Sequence, residues 1–93
     1  MQPTLVLPAT LTLAQAREVL DGLALPPSSQ SAWVVDAGAL AEFDTGALSV
    51  LLELQRRASA QGAALQVHQA PPKLRQLASL YGVDGLLGLQ PSA

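Results

Sequence analysis

Phe43-Asp44-Thr45-Gly46-Ala47-Leu48 reads as the junction between a loop and a helix. Asp44 has the side chain of an N-cap, able to accept from the free amides of a first helical turn. Thr45 then falls inside that turn. Gly46 lowers helix propensity but lets another backbone come close. Downstream, Ala47, Leu48, Leu51, Leu54, Gln55 and Ala58 lie along one side of a helix, and Val50 and Leu52 widen the apolar stripe. Arg56 and Arg57 sit in its last two turns, where cations suit the negative end of the helix dipole. Gly62 is the expected C-cap. Taken alone, the stretch is an ordinary cap. Its other reading is an outward-facing docking or switch site, where free amides and a hydroxyl converge.

Upstream, Ala32-Trp33-Val34-Val35-Asp36 is a near-continuous apolar run. That pattern predicts a central strand buried on both faces, with Trp33 in the core. A loop runs from there through Gly38 to Phe43. Earlier still, Thr4-Leu5-Val6-Leu7 is a short strand closed by Pro8. Thr12-Leu13-Ala14-Gln15 matches a capping box, and Leu13, Ala16, Val19, Leu20 and Leu23 recur at helical spacing, predicting a helix over 13–23. Pro26 to Ser31 is a solvated loop. Toward the C-terminus, Ala64 to Gln69 alternates as a strand does. Pro71-Pro72 opens a third helix, whose Leu74, Leu77, Ala78 and Tyr81 form a stripe closed by Gly82. Tyr81 is expected in the core with its hydroxyl at the edge. Leu86, Leu87 and Leu89 form a last short element. The order β-α-β-α-β-α followed by a tail predicts an α/β fold with a mostly parallel or mixed sheet and packed helices.

The chain has 93 residues, enough for one domain spanning 1–93. Apolar residues make up 49% and charged residues 13%, against about 25% charged in an average domain. Either the core is rich in aliphatic residues, or part of the surface is apolar because a partner covers it. Net charge is −2, and the five cations, Arg17, Arg56, Arg57, Lys73 and Arg75, form no basic run. Nucleic-acid binding and a polybasic membrane-surface segment are both disfavoured. No apolar run approaches the ~18 residues of a membrane span, and the N-terminus lacks the features of a signal peptide. There is no cysteine, which excludes disulfide and thiol chemistry and fits a reducing cytosol.

Catalytic candidates are few. His68 is the only histidine, and a lone histidine is a poor metal site because zinc takes three or four protein ligands. Asp36, Glu42 and Asp44 are better read as strand-end and capping carboxylates than as a metal cluster. Ser28, Ser29 and Ser31 have no neighbouring base, and no Gly-rich phosphate loop is present. No enzyme activity, metal or cofactor is expected.

From Trp33 to Leu87 the sequence resembles the STAS domain, the fold of anti-sigma-factor antagonists and sulfate-transporter tails. The carrying residues are the Val34-Val35-Asp36 strand, the Phe43-to-Leu48 turn, the Leu51-Leu52 pair, the Gln61-Gly62-Ala63-Ala64-Leu65 link and the Leu77-Ala78-Ser79-Leu80-Tyr81-Gly82-Val83 ending. Within the family the likeness is greatest to the MlaB type, the STAS subunits of Mla ABC phospholipid transporters. These have Asp-Thr-Gly in the turn, as Asp44-Thr45-Gly46 does, and a third-helix ending like Ala78-Ser79-Leu80-Tyr81. The resemblance covers the last two thirds of the chain. STAS domains begin with two strands before the first helix, and only Leu5-Val6-Leu7 is clearly available here. The first edge strand is therefore expected to be missing or built from other residues.

The resemblance implies a non-catalytic cytosolic subunit that binds an Mla-type ATPase, and through it the permease complex, at the inner face of the inner membrane. The binding surface would centre on Asp44, Thr45 and Gly46, with Leu40, Glu42 and Phe43 adding contact area. The alternative is an anti-sigma-factor antagonist or another STAS switch. Antagonists carry Asp-Ser-Ser-Gly and are phosphorylated on the second Ser. Aligned on Asp44 and Leu48, that position is Gly46, which has no hydroxyl. Thr45 is the hydroxyl left for phosphorylation, one position earlier. Without its partner the chain could pair with itself, its low charge offering little repulsion.

Overall fold

The computed structural model describes residues 4–23 and 31–90. Chain order is β1 (Thr4–Val6), β2 (Thr10–Leu11), α1 (Ala16–Gly22), β3 (Ala32–Asp36), β4 (Glu42–Phe43), α2 (Thr45–Ala60), β5 (Ala64–His68) and α3 (Pro72–Leu80). β1, β3 and β5 form one sheet with β3 in the middle, and β2 and β4 form a second, two-stranded one. Every strand pair is parallel, with Leu5 beside Val35 and Val35 beside Val67. The expected α/β class with packed helices is what the chain adopts. Of the loop expected from Pro26 to Ser31, residues 26–30 lie outside the described residues.

Side-chain alternation sorts the main sheet into two unlike faces. Leu5, Leu7, Trp33, Val35, Leu65 and Val67 point one way and are all buried. α2 packs on this side, with α1 and α3 beside it. On the opposite face Val6 is 58% exposed, and Val34, Asp36, Gln66 and His68 are half-buried. β3 is central as expected, but it is fully buried on one face only. An apolar run records the residue types in a strand, not how many layers cover it.

The first third departs furthest from expectation. Two strands, not one, precede the first helix, because Thr10–Leu11 pairs in parallel with Glu42–Phe43. Two-residue strands have no period to read and exist only through the partner. The helix expected over 13–23 begins at Ala16 instead. Only part of the capping box forms: Gln15 Oε1 accepts from the Thr12 amide at 3.2 Å. The Thr12 hydroxyl donates to the same oxygen at 3.0 Å rather than capping the helix. The Leu13 amide is drawn away toward Asp44.

Helix ends follow sequence chemistry more closely. α2 closes with Ala63 N–H donating to the Ala58 carbonyl at 2.8 Å and Gly62 N–H to Ser59 at 3.0 Å. Gly62 has φ +74°, where glycine avoids the Cβ penalty. The residues after α3 return to the sheet edge. Val67 N–H donates to the Gly88 carbonyl and Gln90 N–H to the Val67 carbonyl, both at 2.9 Å. Leu89 bridges Val67 in parallel, and Leu87 is fully buried. Tyr81 corrects expectation: it is the C-cap of α3, beyond the buried stripe, and is 58% exposed.

Candidate functional site

Asp44 leaves β4 with extended backbone and caps α2, its Oδ1 accepting from Gly46 N–H at 2.7 Å. The same oxygen accepts from Leu13 N–H at 2.9 Å, so one carboxylate joins the start of α2 to a distant turn. Gly46 makes that junction possible. A Cβ there would stand 2.7 Å from the Thr12 carbonyl oxygen and closer still to the Leu13 amide. The β2–β4 pairing and the Ala41 and Glu42 amides, donating to the Ala9 carbonyl at 2.8 and 3.0 Å, hold the same two segments together. The start of α2 is thus clamped from one side by residues 9–13.

The expected site residues divide by exposure. Glu42 and Asp44 are exposed, and Thr45 is half-buried. Among the described residues the Thr45 hydroxyl has no hydrogen-bond partner. Gly46 is buried under Thr12 and Leu13. Leu40, 6% exposed, and Phe43, 9% exposed, belong to this chain's own core, so they support the surface from below and offer it little area. The Phe43 ring carries the Lys73 ammonium 5.6 Å above its centroid.

Thr45 opens onto a groove of about 240 Å³ between α2 and the end of α3, lined by Thr45, Leu48, Ser49, Leu52, Tyr81 and Val83. Ser49, Tyr81 and Val83 did not register as site residues in the sequence. The spacing of Ser49, one turn after Thr45, was the available signal for it. Nothing local links Tyr81 or Val83 to α2. The family model described as MlaB, STAS domain, matches residues 1–89.

The chain belongs to the STAS domain family. The match takes in the first third, where β1 and β2 supply the two strands ahead of the first helix. No curated protein matches the chain. In this STAS domain the outer face of α2 also borders a second hollow, of about 330 Å³, against α1. Its charges are matched, Arg17 and Arg57 against Asp21 and Glu53. Glu53 accepts from Arg56 and from Arg57, the latter at 2.8 Å. Those two hydrogen bonds, Arg56 first, hold its carboxyl at a pKa of about 2. The arginine pair is therefore tied to its own helix.

The remaining polar candidates have structural partners. Asp36 Oδ1 accepts from Gly38 N–H at 2.8 Å, and His68 Nε2 lies 3.3 Å from Gln66 Oε1. Among the described residues no group of three or more His, Cys, Asp or Glu side chains could hold a metal ion. None of their helices is long and apolar enough to cross a membrane.

Proposed function

We propose that this STAS domain is a non-catalytic subunit that binds the ATPase of an Mla-type ABC phospholipid transporter. It would be held at the inner face of the inner membrane through that complex. The start of α2 is the binding surface, with Thr45 at its centre and Asp44 and Glu42 beside it. The observation that carries this reading is half-buried Thr45, its hydroxyl without a hydrogen-bond partner among the described residues, on a turn clamped by Asp44 and Gly46, in a chain matching the MlaB-type model. A rigid turn presents its hydroxyl at little ordering cost on association. The antagonist reading loses ground here: position 46 carries no hydroxyl, and the Thr12–Leu13 backbone fills the space one would need.

The test is affinity of the purified chain for the cognate ATPase subunit, with Thr45→Ala and Thr45→Glu beside wild type. Loss of one hydrogen bond from a desolvated interface costs about 1–3 kcal/mol. Thr45→Ala should therefore weaken binding about tenfold, and the added charge of Thr45→Glu should weaken it further. Undiminished binding by both folded variants would remove Thr45 from the interface.

A further inference from the structure

We infer that the groove between α2 and the end of α3 receives one apolar side chain of the ATPase, presented on a segment flanked by lysine or arginine. This rests on the ATPase-binding reading above and extends it from Thr45 along the groove that Thr45 itself borders, to the end of α3.

Size limits the occupant first. At about 240 Å³ the groove falls short of the ~300–1,000 Å³ typical of small-molecule sites, so it suits one large side chain and not a lipid tail. The lining suits an anchor of that kind. Leu48, Leu52 and Val83 make an apolar floor, and Thr45, Ser49 and Tyr81 place hydroxyls at the rim. The surroundings are more apolar than a solvated surface needs: Tyr81 is 58% exposed and its neighbour Leu80 is 79% exposed. Exposed aromatics beside an apolar pocket are the usual composition of an interface hot spot.

Charge selects the flanks of the anchor segment. Among the described residues no cation lines the groove. Asp44 immediately precedes Thr45, and Asp84 immediately follows Val83; both are exposed. The last turn of α3 carries no basic residue, so the negative end of its dipole faces this region without a counter-charge of its own helix. The positive end of α2 is already answered by Asp44. Lys73, at the start of α3, is engaged over the Phe43 ring and does not line the groove. Exposed Asp44 and Asp84 stand beside the groove, and a segment with basic flanks complements them.

The experiment titrates the full chain against its cognate ATPase subunit at low and moderate salt. It compares wild type with Tyr81→Ala, Asp84→Lys and Thr45→Ala, each checked for its fold by circular dichroism. Tyr81 and Asp84 are exposed and Thr45 is half-buried, so all three variants should fold. Tyr81→Ala should weaken binding about tenfold. Asp84→Lys should slow association and flatten its dependence on salt. Wild-type affinity in both Tyr81→Ala and Asp84→Lys, with Thr45→Ala still weakened, would overturn the apolar anchor at the α3 end and leave the Thr45 contact standing. Tighter binding by Asp84→Lys would overturn the basic segment. A wild-type homodimer that Tyr81→Ala dissolves would assign the groove to a second copy, and so overturn the proposal. Failure of the wild type to bind the ATPase would sink the underlying reading, with the groove proposal resting on it.

Discussion

At position 46 two physical demands oppose each other. Helix propensity favours alanine over glycine by about 1 kcal/mol. Close approach of the Thr12–Leu13 backbone forbids any Cβ. The obstacle is main chain, which cannot rotate away as a flexible side chain would, so the second demand wins. Gly46→Ala should lower stability by about 1–3 kcal/mol, seen as a lower midpoint of urea unfolding. An unchanged or higher midpoint would show that the Thr12–Leu13 segment yields easily. The sequence pointed to a glycine chosen for backbone proximity but not to what approaches it. The Leu13–Asp44 bond spans 31 positions, and no local pattern encodes that separation.

Among the elements, α2 was the most legible, because cap, stripe, terminal arginines and C-terminal glycine are all read within a turn or two of one another. β4 was invisible, having two residues and no period. The tail after α3 was legible only as apolar. Its role is to close the β5 edge, and Gly88 is the pivot: φ is +62°, and a Cβ would collide with the Leu65 carbonyl. Arg75 Nη2 donates to the Gln90 carbonyl and fastens the end of the same segment. Left-handed backbone at a non-glycine residue costs about 1–3 kcal/mol even before the collision. Gly88→Ala should therefore detach the tail from β5. Amide exchange would report this as faster exchange at Val67, whose N–H now donates to Gly88, with α2 amides less affected. Full protection of Val67 in the variant would contradict the pivot.

For the molecule as a whole, a single-faced core puts much of its stability into few side chains. Trp33 is fully buried among Leu5, Leu7, Val35 and the inner face of α2 within one cluster. Its indole Nε1 has no partner among the described residues, and the ring packs in the core cluster. Truncating a buried Trp to Ala costs about 3–5 kcal/mol, a large part of the ~5–15 kcal/mol that holds an average domain. Trp33→Ala should abolish a cooperative thermal transition or lower its midpoint severely, measured by circular dichroism. As the one tryptophan in the chain, Trp33 should report wild-type unfolding as a single fluorescence transition coincident with loss of helix. Separate transitions would mean that the two small sheets come apart independently.

Read from residues alone, the chain already declared its alternation of strands and helices, the Asp44 cap, and a glycine at position 46 that lets another backbone come close. Each of these depends on neighbours a few positions away. Three things required the folded arrangement: that Leu40 and Phe43 face inward, that Tyr81 faces outward beside Thr45, and that residues 9–13 brace the start of α2. Exposure and close approach arise where distant segments meet. They are set by the packing of α2 against the sheet and against its neighbouring helices, which is a property of the whole chain.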